Sequence, residues 1–318
     1  MVLQRKPRRR QQPRATNLIV AALAAVAGIT IPAPAQEISS APLVGGSKTG
    51  IYQSFLPRAG NRIFIEPLVG KDADIDNQVN FVPYYQWVGK GRDEAVPLSI
   101  EKRITSRFSV EAATQLDGPP AESAGAWTDT GWGLQGKYLF GLSAKREIMA
   151  SAIVKGDAPA GPPLSSQNPW ALNEYLVFNK GFGDLPQEWL RPLALQSDIG
   201  TESPFADAPD GRFLRTDLVL EYSLAYLNDI VGAPVPPEWR QMTPAVEWRN
   251  RDDWAQEGDG GFLSWELNWQ AKTWQLSLAY QNPYGAAVSG FAGTQVQLYL
   301  TLYYDNLLQK LGFNPTPY

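Results

Sequence analysis

The stretch TQVQLYLTLYYD, Thr294 to Asp305 near the end of a 318-residue chain, alternates along its whole length. Val296, Leu298, Leu300, Leu302 and Tyr304 fall on one side of an extended backbone, and Gln295, Gln297, Tyr299, Thr301 and Tyr303 on the other. Strand side chains point to opposite faces in turn, so an apolar face is backed by a polar one. What the apolar face touches, a protein core or lipid, decides the fold.

The pattern recurs upstream. Trp274, Leu276, Leu278 and Tyr280 alternate with Thr273, Gln275, Ser277 and Ala279, and Leu263, Trp265, Leu267 and Trp269 with Ser264, Glu266, Asn268 and Gln270. Leu214, Thr216, Leu218, Leu220, Tyr222, Leu224 and Tyr226 make a third stripe. Weaker matches lie near 79–88, 96–104, 106–116, 131–141, 146–155, 172–180, 189–199 and 242–250, for about 12 strands in all. Residues 62–69 offer an additional segment, and 14 is the alternative count. Tight links at 105–106, 142–145 and 271–272 alternate with long Gly-, Pro-, Asp- and Asn-rich ones at 117–130, 156–171, 200–212, 251–261 and 283–294. The link at 228–241 breaks this order. Short turns at one end and long loops at the other are the habit of outer-membrane barrels.

The ends of the chain favour export. Arg5, Lys6, Arg8, Arg9, Arg10 and Arg14 precede an apolar run from Leu18 to Ile31, and Ala33-Pro34-Ala35 fits a small-x-small cleavage site. Residues 1–35 therefore read as a signal peptide of the general secretory route, 36–61 as a linker, and 62–318 as the barrel domain. A short helical tail is expected at 306–311. Removing six of the 28 cations and none of the 32 acids takes the formal charge from −4 to −10, which argues against a nucleic-acid partner. The chain has no cysteine and no histidine. That excludes disulfide bracing, Ser-His and Cys-His nucleophiles and His-based zinc sites, and no cofactor is expected. After residue 35 no 18 apolar residues run together, so a helical membrane protein is excluded and a barrel, with strands of about 9–11 residues, is not.

Composition of the two faces favours lipid. A soluble sandwich buries Val, Ile, Leu and Phe and shows Lys and Glu to water. Here the polar stripes carry Gln, Asn, Ser, Thr and Tyr, and the apolar ones place Trp or Tyr toward an end, as at Trp274, Tyr280, Tyr222, Trp248 and Tyr304. Such rings prefer the lipid–water boundary. A spanning sheet must also satisfy every backbone group, which closure achieves. The fold class is therefore all-β, an antiparallel up-and-down transmembrane barrel.

Two motifs have ordinary explanations. Gly131-x-Gly133-x-x-Gly136 matches a dinucleotide fingerprint by letter, but a strand follows it where the motif needs a helix. Asp72-x-Asp74-x-Asp76-Asn77 resembles the front of a calcium loop but lacks its glycine and its final glutamate, so an acidic solvated loop is expected. By parity the inward set holds Glu101, Arg103, Glu111, Gln135, Lys137, Arg215, Asp217, Glu221, Glu247, Arg249, Glu266, Asn268 and Gln270. Such a wall either passes a small polar or amphipathic solute or fills itself by Arg–Glu pairing.

Phe178-Asn-Lys-Gly-Phe-Gly-Asp-Leu-Pro186, Trp189-Leu-Arg-Pro192 and Leu220-x-Tyr-Ser-Leu-x-Tyr-Leu227 resemble segments of bacterial outer-membrane transport proteins grouped with the MetA-pathway phenol-degradation family. The likeness runs from about 95 to 305. It implies a barrel of about 12 strands and uptake of hydrophobic or aromatic compounds, and carries no catalytic or binding residues with it. The chain departs from the usual barrel ending, since a helix-like stretch and Pro315-Thr-Pro-Tyr318 follow the last strand. The expected function is a passive, non-enzymatic channel or transporter for small solutes, with outer-membrane lipid and the barrel assembly machinery as partners. The alternatives are a soluble periplasmic β-sandwich that binds a ligand, and a non-conducting structural or adhesive barrel using loops 156–171 and 200–212.

Overall fold

A computed structural model describes residues 59–67, 70–88, 91–118, 128–159, 170–204, 213–253, 259–285 and 293–304. The expected signal peptide, most of the expected linker and the expected C-terminal tail lie outside them. The described strands form one antiparallel sheet whose ends meet. β1 is built of two pieces, Gln78–Phe81 and Tyr84–Val88. β2 (Gly91–Thr105), β3 (Phe108–Asp117), β4 (Thr128–Ser143), β5 (Ile148–Pro159) and β6 (Ala171–Gly181) follow. Then come β7 (Leu193–Pro204), β8 (Phe213–Tyr222), β9 (Met242–Asp253), β10 (Asp259–Gln270), β11 (Trp274–Tyr284) and β12 (Gln295–Tyr303).

Each strand pairs with its sequence neighbours, and both pieces of β1 lie between β2 and β12. The register is common to both pieces. Phe81 faces Leu300 and Tyr84 faces Gln297 on β12, while Phe81 faces Leu98 and Tyr84 faces Ala95 on β2. The wall is therefore a closed barrel of 12 strands, and a sandwich of two sheets is ruled out. Closure leaves no edge, so every strand has a neighbouring strand on both sides.

The two faces are inverted relative to a soluble protein. Outward positions hold large apolar residues with open surface, among them Ile100, Leu134, Leu278 and Leu298, which are 51, 53, 53 and 41% exposed. Inward positions hold buried Gln196, Asp217, Glu247, Asn268, Gln275 and Thr301. Outward aromatic side chains gather toward the two ends. Trp269 and Trp274 stand 6.0 Å apart near one end, and Trp132 and Trp170 meet edge to face at 6.3 Å near the other. Gly133 faces the interior of β4, where a Cβ would lie 2.6 Å from the Asp157 carboxylate; the glycine triplet is part of a strand, as its surroundings in sequence require.

Three expectations are corrected. The stripe read as 214–226 ends at Tyr222. The Ser223 hydroxyl accepts the Tyr226 N–H at 3.2 Å, and the chain turns into a helical stretch from Leu224 to Val231, so Leu224 and Tyr226 are not strand residues. The segment read from 189 starts as a strand only at Leu193, after a 3-10 turn at Glu188–Leu190. Short and long links also fail to alternate strictly. The connection at 182–192 is long at the end where 106–107 and 271–273 are tight, and 89–90 is short at the opposite end.

Candidate transport path and its plug

Residues 62–67 and 70–77 do not form a strand or a solvated loop; they run inside the barrel. Arg62, Ile63, Phe64, Ile65, Asp72, Ala73, Asp74, Ile75, Asp76 and Asn77 are all buried. The expected linker also ends earlier than Gly60, since Ala59 is buried and bridges to Arg62. A short apolar run gives the segment its packing. Phe64, Ala73 and Ile75 meet Leu139, Met149, Ile153, Tyr175 and Val177 of the inner wall, and Ile65 meets Val219 and Ala245.

Lacking a strand partner, the backbone of this plug is satisfied by side chains of the wall. Ile65 N–H donates to Glu221 at 3.2 Å, Glu66 N–H to Gln275 at 3.1 Å and Lys71 N–H to Asp198 at 2.7 Å. Gly70 N–H donates to Glu247. In return Gln196 donates to Ile65 O at 2.9 Å, Gln270 to Phe64 O at 3.4 Å, Gln275 to Glu66 O at 3.0 Å and Ser151 to Ala73 O. Buried backbone groups need partners wherever they lie, and here the inward glutamines and carboxylates supply them.

Arg62 anchors the plug at the end of the tight turns, against the two long connections found there. Its guanidinium donates to Pro192 O at 3.0 Å, Arg191 O at 2.6 Å and Leu193 O at 2.9 Å, and it stacks over the Tyr226 ring at 4.3 Å. Tyr226 in turn donates its hydroxyl to Glu147 at 2.8 Å. The connections at 182–192 and 223–241 are thus long because they grip this anchor, which is the physical reason the link lengths depart from alternation.

Among the inward residues named from sequence, Glu101, Lys137, Asp217, Glu221, Glu247 and Asn268 are at most 2% exposed; Arg103, Arg215, Glu266 and Gln270 are also buried. Glu111 and Arg249 are half-buried. They fall into separate groups. Arg215 and Arg249 both pair with Asp217, the latter at 3.0 Å, and Arg215 reaches Glu202 at 3.5 Å. Lys137 pairs with Asp72 of the plug at 2.6 Å and Glu101 at 3.4 Å, and donates to Asp74 O at 2.7 Å. Glu111 accepts from Gln135 at 3.3 Å, Asn268 donates to Thr243 O at 3.2 Å, and Glu266 lies against Glu247. The Arg103 N–H donates to Asn77 at 2.9 Å.

The Asp72–Asp76 stretch is corrected from a solvated loop to a buried acid cluster. Carboxylate oxygens of Glu66, Asp72 and Asp74 lie within 4.8 Å of one another. The Lys137 ammonium already stands where a cation would neutralise them. Burial pushes the Asp72 carboxyl up, but Lys137 and hydrogen bonds with Asp74 and Glu66 outweigh it and hold it at about 2. Burial, with Asp72 alongside, raises Asp74 and Glu66 well above the usual carboxylate range. Beside the plug remains a cavity of about 210 Å³ with polar and charged lining, including Lys71, Lys155, Glu111 and Tyr299.

No family model matches the chain, and no curated protein matches it. The resemblance to the MetA-pathway group therefore rests on its short motifs alone. Solved structures similar to this chain include the KdgM porin in complex with disordered oligogalacturonate, at 9% identity and a TM-score of 0.45 over 71% of this chain and 98% of that one. The NanC porin is similar at 7% identity and 0.47, over 70% and 98%. Pseudomonas aeruginosa OpdK with vanillate is similar at 9% and 0.37, over 66% and 56%. These values record a general likeness of shape; the closed barrel is established by its own strand pairing.

Proposed function

We propose that this chain is an outer-membrane β-barrel that passes small solutes, hydrophobic or aromatic ones included, passively and without an enzymatic step, and that residues 62–77 plug its lumen. Residues 1–35 would direct export, and the assembly machinery and outer-membrane lipid would be its partners. The observation that carries this reading is the inverted distribution of side chains: a ring of exposed Leu, Ile, Trp and Tyr outside a buried wall of Gln, Asp, Glu and Asn. Hydrocarbon is the surrounding in which such a surface is stable, since exposed apolar patches of this extent mark contact with lipid or partner. The inward Glu101, Glu111, Lys137, Arg215, Asp217 and Arg249 would then face the solute path.

The plug favours a second reading, a sealed barrel that conducts nothing. Planar-bilayer recordings separate the two. The native chain is expected to open rarely, and deletion of residues 62–77 to give steady conductance from a barrel that still shows heat-modifiable gel migration. A deletion variant that keeps that migration yet passes no ions would overturn the channel reading.

A further inference from the structure

Two prolines lie side by side in the middle of the barrel wall. Pro83 is the central residue of β1, and Pro97 lies midway along β2. The unbroken register sets Val82 opposite Pro97 and Pro83 opposite Leu298. Each pair makes half of its exchange: Val82 N–H donates to Pro97 O at 3.0 Å and Leu298 N–H to Pro83 O at 3.0 Å. Proline has no N–H to return, so the carbonyls of Val82 and Leu298 lose their ladder donors on both flanks of one strand. This is why β1 divides into two pieces. Pro244 and Pro283, also inside described strands, sit within two residues of a strand end, and Pro159 and Pro204 are terminal. A weakness in mid-wall faces hydrocarbon, where missing backbone bonds are hardest to tolerate.

The cavity of about 210 Å³ beside the plug lies directly behind this point. At this point it is lined by Val82, Pro97 and Leu98, farther round the wall by Glu111 of β3 and Lys155 of β5, and from the plug by Lys71. Leu98 stands between inward Pro97 and Ser99, so the cavity reaches the backbone of the wall itself. Outside, Phe81, Ile100 and Leu298 present open apolar surface. Plug residues Gly70, Lys71 and Asp72 form another side of the cavity.

We propose that the Val82–Pro83 site is a lateral portal, through which a small amphipathic solute passes between this cavity and the membrane interior. Its polar end would lie toward Lys71, Lys155 and Glu111, and its apolar part toward Val82, Pro97 and Leu98. Parting β1 from its neighbours here breaks one ladder bond per pair where two are usual. The proposal rests on the membrane-barrel reading above.

The chain has no cysteine, so Ser99→Cys at the cavity is a clean reporter. In vesicles it is labelled either by a long-chain alkyl maleimide dissolved in the bilayer or by a charged, water-soluble maleimide. Pro83→Val with Pro97→Val returns both donors. The restored ladder is expected to slow alkyl-maleimide labelling about tenfold while leaving the charged probe's rate unchanged. Should the double variant not fold, Pro83→Val alone is expected to give a smaller fall of the same kind. Alkyl labelling that is absent, or indifferent to the restored donors, overturns the portal and leaves the channel standing. A chain that neither floats with vesicles nor migrates in a heat-modifiable way overturns the membrane reading itself, and the portal with it.

Discussion

Arg62 and Lys137 show how single residues hold the plug, and neither role has a local signature in sequence. Arg62 finds its three carbonyl acceptors 129 to 131 positions away, and Lys137 meets Asp72 at a separation of 65. An acidic run such as Asp72-Ala-Asp74-Ile-Asp76 reads as solvated because its neutralising partner belongs to another strand. Parity, by contrast, sets Lys137, Glu221 and Gln270 on the polar side of their strands, and all three are buried. Arg62→Ala removes charge-assisted bonds of about 1.5–3 kcal/mol each, so openings in a planar bilayer should become at least about 10-fold more frequent while heat-modifiable migration persists. Lys137→Met leaves Asp72 and Glu101 buried without their cation, at a cost of about 3–5 kcal/mol, and should open the barrel further. The acid cluster adds a pH dependence. Asp74 and Glu66, raised when buried, bind more protons in the seated plug than in water, so seating strengthens as pH falls through their raised values toward the ordinary 3.8 and 4.5. Asp72, depressed to about 2, contributes stability that is lost as pH falls from 3.8 toward 2. Open probability against pH should therefore pass through a minimum near 4, and a monotonic curve would contradict this account of the cluster.

The strands were legible because a period of two survives wherever one face meets apolar surroundings. β10, β11 and β12 declare it plainly, since Trp265, Leu267, Leu278 and Leu298 all stand outward. It misled at the end of β8, where Leu224 and Tyr226 keep the spacing by coincidence while Ser223 caps a helical turn. Side-chain capping overrides an alternation that no ladder bond enforces. β6 reads poorly on both faces: Glu174 falls in line with outward Leu176 and Phe178, while inward Tyr175 and Val177 pack on Phe64 and Ile75 of the plug. The outward face gives a test at this scale. Leu278→Arg, in mid-strand and 53% exposed, should cost about 2–4 kcal/mol in urea titrations of the chain folded into vesicles. At an exposed site of a protein in water the same change stays within about 0.5 kcal/mol, and a loss that small would place Leu278 in water.

For the whole molecule, closure and plug answer separate needs. Closure gives every strand of the wall a partner on both sides, in a medium that offers its backbone none. The plug fills what a ring of 12 strands leaves open, using inward Gln, Ser and Glu as acceptors and donors for a segment that has no strand beside it. The even strand number followed from the alternating segments. The filling did not, because contacts such as Glu66 to Gln275 span 209 positions and leave no trace in local pattern. Both needs arise only if lipid surrounds the outward Leu, Ile and Trp. Detergent-free lysis followed by flotation of the membranes, with unheated and heated samples compared by gel migration, tests that most directly. The account predicts that the chain floats with outer membranes and migrates faster before heating than after; recovery in the soluble fraction with identical migration in both samples would contradict it.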